Sequence, residues 1–204
     1  MILTDREIRE LALNSFVEAR TKNVDPFIFP FDEKCVNPTS YDLKIGYTAC
    51  HLRSPFWNRR KKQVKLISDF HRYSKKNPYW LEANDYILVS ARETINIPSN
   101  VSAKVMLKSS RAREGMSHAL AGWVDSGFNG ILTLELKNYL KDTPVAIYPE
   151  MRIVQLVFYT HNEVQHSYKN GRYGNMRSVM PSLDEFPNKE LGEAVHSIDD
   201  LNDY

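Results

Sequence analysis

The chain has 204 residues, 42% of them hydrophobic and 25% charged, with a formal net charge of +2. That length is about one domain's worth, and the ordinary globular composition excludes wholesale disorder, collagen and low-complexity repeats. No apolar run reaches the roughly 18 residues of a membrane-spanning helix, so no membrane partner is expected.

Two cysteines, Cys35 and Cys50, are too few for a disulfide framework. The start, MILTDREIRE, is charged from its fifth residue and does not read as a secretory leader. An intracellular, cytoplasmic location is therefore expected. The charge is unevenly spread. Residues 181–204 carry seven acids against the single Lys189, a net of −6, so the rest of the chain is strongly basic. Its densest basic run is Arg59-Arg60-Lys61-Lys62, with Lys65 close behind. Such a run suits a solvated loop, a polyanionic small ligand or a nucleic acid.

In chain order, residues 4–20 form the one clear helical pattern. Thr4 precedes Glu7 at capping-box spacing, and Ile8, Leu11 and Leu13 supply a short apolar stripe. Pro26 and Pro30 make the stretch from Asp25 to Asn37 irregular or extended. Five runs with near-alternating apolar residues follow: YDLKIGYTACHL, YWLEANDYILVSA, VSAKVMLKSS, GILTLELKNY and TPVAIYPEMRIVQLVFY. Turn signals such as Ile97-Pro98-Ser99-Asn100 and Ser126-Gly127-Phe128-Asn129-Gly130 separate them. This pattern predicts an all-β sandwich or barrel with a short N-terminal helix. Segment 53–80 lacks periodicity and reads as a basic excursion from the β body, and residues 183–204 read as an acidic tail.

The six histidines and two cysteines show no zinc-ligand spacing, and there is no GxxxxGK[ST] or GxGxxG phosphate loop. Chemistry concentrates between residues 108 and 135. Lys108-Ser109-Ser110-Arg111-Ala112-Arg113 packs three cations and two hydroxyls into one turn, as an exposed polar turn or as a holder of phosphate oxygens. Asp125 stands at a hairpin entry, where an acid commonly caps a turn. Glu135 lies inside the strand Ile131–Leu136, and alternation groups it with Ile131 and Thr133, opposite Leu132, Leu134 and Leu136. A strand glutamate is ordinarily a solvated outer residue, whereas a partly buried one is a plausible general acid/base.

The run KSSRAREGMSHALAGWVDSGFNGILTLELKN resembles the core of the dCTP deaminases, relatives of the trimeric dUTPases. The likeness extends to MILTDREI, to Asn37-Pro38-Thr39-Ser40-Tyr41-Asp42-Leu43, to YPEMRIVQL and to Arg172-Tyr173-Gly174-Asn175-Met176-Arg177, all in the family's order. It implies a distorted β jelly roll of the dUTPase-like β-clip type spanning residues 1–182. It also implies a homotrimer with active sites shared between subunits and a nucleotide-covering lid over 168–182. The implied reaction is hydrolytic deamination of dCTP without zinc, with Mg²⁺ arriving on the triphosphate; dCTP and dUTP are the expected ligands, and a nucleic-acid partner is not expected.

By the same resemblance Glu135 is the catalytic carboxylate that moves a proton from water to the cytosine ring. Ser109 and the backbone carbonyl of Ala121 hold that water, and Arg113 supports both. Lys108, Ser110, Arg111 and Ala112 fall in the phosphate-facing turn. Asp125 binds the deoxyribose 3′-hydroxyl and, in dUTP-hydrolysing relatives, orients the water that attacks the α-phosphate. Thr133 and Leu134 would meet the base, and Tyr168, Arg172 and Met176 belong to the lid. Members that only deaminate carry His-Arg in the two positions occupied here by Gly122-Trp123. Members that continue to dUMP carry Ala-Gly-Trp or Ala-Gly-Phe, the pattern of Ala121-Gly122-Trp123, and a small Gly122 would leave room for water. The chain departs from the family at Leu107, Leu120 and Met176, where glycine, threonine and glutamine are usual, and Arg172 replaces a lysine. A deaminase that stops at dUTP, a dUTPase, a silent nucleotide-binding relative and a nucleic-acid module on the basic segment remain the alternatives.

Overall fold

The computed structural model describes residues 1–22, 24–54, 57–58, 63–119 and 122–183. The basic run 59–62, Leu120, Ala121 and the acidic residues 184–204 lie outside the described residues.

Helix α1 (Asp5–Lys22) begins with the expected capping box: the Thr4 hydroxyl and backbone N–H donate to Glu7 Oε2 at 2.7 and 2.8 Å. Acids Asp5 and Glu7 in its first turn and Arg20 and Lys22 in its last match the helix dipole. Its buried face keeps Ile8 and Leu11 of the predicted stripe but not Leu13. Ile8 and Ala12, one turn apart, are fully buried, while Leu13 is 62% exposed. Leu13 follows Ala12 by one residue, about 100° round the helix, and so points to solvent.

Among the described residues twelve strands follow: β1 (Ile28–Phe29), β2 (Val36–Asn37), β3 (Ser40–Arg53), β4 (Gln63–Leu66), β5 (Tyr79–Leu81), β6 (Tyr86–Asn96), β7 (Val101–Leu107), β8 (Met116–His118), β9 (Trp123–Val124), β10 (Asn129–Asn138), β11 (Val145–Ile147) and β12 (Arg152–Thr160). A short helix α2 (Ser109–Arg113) sits between β7 and β8. Ten strands form one antiparallel sheet in the order β8-β10-β6-β3-β12-β7-β9, with β1 on β6 and β2 and β4 on β3; β5 pairs with β11 apart from it. The 14-residue β3 joins the two halves. Its first residues pair with β12, and beyond Ile45 it pairs with β6 across a register break between Ile45 and Ala49. A strand that changes neighbours in this way bends the sheet round one core. The predicted all-β architecture is the observed one.

Segment 53–80 is less of an excursion than its sequence suggests. Its residues 63–66 form β4 on β3, and Phe70 is buried in the main core among Tyr73 and Tyr79. After β12 the chain returns along β10. Asn175 N–H donates to Asn129 O at 2.6 Å, Ile131 N–H to Met176 O at 2.8 Å, and Met180 N–H to Thr133 Oγ1 at 2.9 Å. Gly130 permits this crossing, because it has φ +142° and a Cβ there would meet Met176 N at 2.9 Å. No helix of the described residues is long and apolar enough to cross a membrane.

Candidate active site

Strand β10 builds one wall of a cavity of about 430 Å³. Leu134 and Leu136 point into the core and Glu135 to the other side, as alternation predicts. A register shift between Ile131 and Thr133 interrupts that alternation. This bulge turns Leu132 to the cavity together with Ile131 and Thr133, contrary to the predicted grouping. Tyr86 and Leu88 of β6, Trp123 of β9, Asp125 and the returning residues Tyr168, Tyr173, Met176 and Met180 complete the enclosure.

Glu135 is one-quarter exposed, yet its Oε2 is buried and has no hydrogen-bond partner among the described residues. His118 Nε2 stands 3.3 Å away, within ion-pair range but outside hydrogen-bond geometry. A buried carboxylate oxygen without a donor costs about 1–3 kcal/mol, so this atom is an acceptor waiting for a ligand or water. Burial, with the charge of Glu135 second, pushes the Tyr86 phenol up to about 12. That keeps Tyr86 a neutral hydroxyl in the cavity.

Asp125 stands in the wall that this cavity shares, with Trp123 and Tyr168, with a neighbouring cavity of about 400 Å³. The Trp123 indole N–H donates to Asp125 Oδ1 at 3.1 Å and sets the carboxylate's orientation. Gly122 is buried against β7: its carbonyl accepts from Val105 N–H at 2.6 Å, and a Cβ on it would meet Val105 O at 2.6 Å. The space expected beside Gly122 is therefore taken by the β7 backbone, and glycine is needed there for strand approach.

The basic turn lies elsewhere. Lys108 caps α2, but its ammonium donates to the fully buried Asp42 Oδ2 at 2.5 Å. Asn37 Nδ2 donates to the same carboxylate at 2.8 Å, and Arg152 comes within 3.6 Å. Lys108 is thus anchored inward, where a free phosphate-facing side chain was expected. Ser109, Ser110, Ala112 and Arg113 are exposed, and Arg111 pairs with Glu114 while its Nε is buried without a partner among the described residues. None of Lys108, Ser109, Ser110, Arg111, Ala112 and Arg113 lines the Glu135 cavity of its own chain.

The structure thus brings Glu135, Asp125, Thr133, Tyr168 and Met176 to one cavity. Thr133 arrives with its hydroxyl already accepting from Met180 N–H. Leu134 belongs to the core, Arg172 is exposed and off the lining, and Ala121 is outside the described residues. His118 was missed from sequence because a lone histidine on a short strand carries no spacing signal. Among the described residues no three His, Cys, Asp or Glu side chains converge as a metal-holding group.

The family model described as dCTP deaminase-like matches residues 2–161. A Dictyoglomus turgidum protein named dCTP deaminase, dUMP-forming, is 33% identical over 163 residues, covering 78% of this chain and 80% of its own. An Aquifex aeolicus protein of the same name is 34% identical over 184 residues, covering 89% and 94%. Among solved structures, 2′-deoxycytidine 5′-triphosphate deaminase from Agrobacterium tumefaciens superposes with a TM-score of 0.56 at 24% identity. That superposition covers 78% of this chain and about half, 48%, of the longer one, and it supports the fold. On the family match and these identities, the chain belongs to the dCTP deaminase-like family.

Proposed function

We propose that the protein deaminates dCTP hydrolytically and carries the product on to dUMP, releasing ammonia and diphosphate. The observation that carries this reading is Glu135, a strand carboxylate with one buried oxygen that has no hydrogen-bond partner among the described residues, in a cavity of about 430 Å³. A carboxylate held so can take a proton from water as the oxygen adds to C4 of the cytosine. It passes that proton to the ring nitrogen, then takes the proton of the new C4 hydroxyl and delivers it to the amino group, which leaves as ammonia. Ser109, Arg113 and the Ala121 carbonyl would hold that water, and backbone groups of Thr133 and Leu134 on β10 would meet the base.

Asp125 would bind the 3′-hydroxyl and orient the second water, the one that attacks the α-phosphorus. Trp123 favours this role, since its indole fixes the carboxylate where deaminase-only members carry arginine. Hydrolysis also needs cations on the leaving diphosphate. Ser110, Arg111 and Ala112 supply that turn, held in place by the Lys108–Asp42 ion pair, with Tyr168, Arg172 and Met176 closing from the lid. Because the turn does not line the cavity of its own chain, we assign it to the cavity of a neighbouring copy in a homotrimer. Mg²⁺ would arrive on the phosphates, where Asp125 of the cavity wall would be the carboxylate beside it and the ion would supply charge neutralisation.

Incubation with dCTP and, separately, dUTP, each with Mg²⁺ and followed by chromatography, tests the reading. The expected products from dCTP are dUMP, ammonia and diphosphate. Stoichiometric dUTP without diphosphate would overturn the second step. Cleavage of dUTP with no reaction of dCTP would overturn the first.

A further inference from the structure

Positive charge that the proposed reaction does not use lies on the β3–β4 hairpin. In that pairing His51 stands opposite Lys65, with Arg53 two residues along, so strand register puts all three on one face. The other face carries Leu52, which lines the Glu135 cavity, and Val64, which packs on buried Cys50 and Val179. The polar face is hollowed into a cavity of about 320 Å³ that Ser68 and Tyr79 help to line.

We propose that this cavity is a second ligand site, for the phosphate group of an anionic small molecule, back to back with the catalytic cavity. Its donors are arranged for that chemistry. Lys65 is exposed and forms no ion pair among the described residues. Arg53 is held in place by Asp85 at 2.7 Å through one nitrogen, which leaves the rest of its planar fork for a second anion. Ser68 adds a hydroxyl at the rim.

The local acids leave Lys65 without an ion pair among the described residues. Asp85 is committed to Arg53 and to the Tyr86 N–H at 3.0 Å, and Asp69 is paired with Arg72 at 3.4 Å. His51 gives the site a rigid back. Its Nδ1 lies 2.9 Å from the Tyr86 carbonyl, which can only accept, so Nδ1 carries hydrogen. Its Nε2 lies 2.7 Å from the Tyr79 hydroxyl oxygen. Both rings are thereby locked, and the mobile charge at the site belongs to Lys65. A hollow of this size admits a phosphate with a sugar-sized neighbour, whereas a nucleic acid would spread over the exposed Lys75 and Lys76 as well.

Site-resolved lysine acetylation, read by peptide mass spectrometry on the full chain, tests the proposal with inorganic tripolyphosphate and with ATP as probes. Saturating tripolyphosphate should slow acetylation of Lys65 by at least about fivefold while leaving Lys75 and Lys76 unchanged. Protection by ATP at lower concentration than by tripolyphosphate would mark a nucleotide as the ligand. The reverse order would mark a free polyphosphate. Ser68→Asp puts a carboxylate at an exposed rim position and should raise the concentration needed for protection by roughly tenfold. Equal protection of Lys65, Lys75 and Lys76 would overturn the site in favour of diffuse screening. Unchanged Lys65 reactivity with both probes would overturn it outright.

Discussion

His118 Nε2 stands 3.3 Å from Glu135 Oε2, at the place where the short strand β8 meets β10. The next residue ties the same strands together, since Ala119 N–H donates to Glu135 O at 3.1 Å. The backbone at Glu135 is thus fixed and His118 stands within ion-pair range of its carboxylate, which suits the proposed role of meeting a water in one orientation. Glu135→Gln should fold normally and lose about 10² to 10⁴ in the rate of ammonia release. His118→Ala should lower kcat for deamination by roughly tenfold with a smaller change in KM, and His118→Gln should restore part of it. A KM effect alone would make His118 a binding residue instead.

The Trp123–Asp125 contact gives a prediction about the second step. Trp123→Phe keeps an aromatic ring near Tyr159, at 6.1 Å in the wild type, but removes the indole donor to Asp125. A hydrogen bond to a charged group is worth about 1.5–3 kcal/mol, so diphosphate release should slow by roughly tenfold or more. Ammonia release should change by less than about threefold, so that dUTP accumulates. Equal loss of both products would assign the contact to sugar binding.

Gly122 makes a prediction about stability. A methyl group there would press on Val105 O, a backbone atom that cannot turn aside. Gly122→Ala should therefore cost about 1–3 kcal/mol and lower the melting temperature, measured by thermal unfolding followed by circular dichroism. An unchanged melting temperature would show that β9 can move away from β7.

Glu93 predicts a pH dependence. It is buried on β6 and accepts from Lys44 N–H at 3.0 Å, and burial pushes its carboxyl up to about 7 from an ordinary 4.5. The folded state thus binds this proton more tightly than the unfolded chain. The resulting stability is complete below about 4.5 and is lost as the pH rises through about 7. Glu93→Gln keeps the acceptor for Lys44 N–H and removes the ionisation. Its stability should exceed that of the wild type above pH 7, by up to about 3 kcal/mol, and the gap should close towards pH 4.5. A gap that does not vary with pH would remove Glu93 as its source.

The parts legible in the sequence were those set by local rules. Thr4 and Glu7 mark the start of α1 because a capping box needs only four residues, and Glu135 separates from Leu134 and Leu136 because a strand alternates. Tertiary contacts decided the rest. Leu13 was placed in the apolar stripe with Ile8 and Leu11, but the sheet covers Ala12 beside Ile8 and leaves Leu13 to solvent. Strand β4 is four residues long, too short for a periodic signal, and exists because β3 offers an edge. Leu132 turns to the cavity through a bulge, and Lys108 turns inward because Asp42, 66 residues earlier, is buried beneath it. The roles of Ser109, Arg113 and Asp125 came from the family likeness, since an exposed polar turn and a hairpin acid say little alone.

The last prediction concerns the division of the site between copies. Glu135 lines a cavity that Ser109 to Arg113 of the same chain do not reach, so catalysis should require two chains. The protein should sediment at three times 23.7 kDa. Glu135→Gln and Arg113→Ala should each be inactive when expressed alone. Co-expressed in equal amounts, they should assemble sites that combine the intact Glu135 of one chain with the intact Arg113 of another. Random assortment makes about one site in four complete, so mixed trimers should recover about a quarter of wild-type ammonia release. Recovery should vanish when the two variants are mixed only after purification, as long as the trimers do not exchange subunits. Co-expressed chains that stay as inactive as either variant, in trimers shown by native mass spectrometry to be mixed, would place Arg113 and Glu135 in one chain's site and end the shared-site reading.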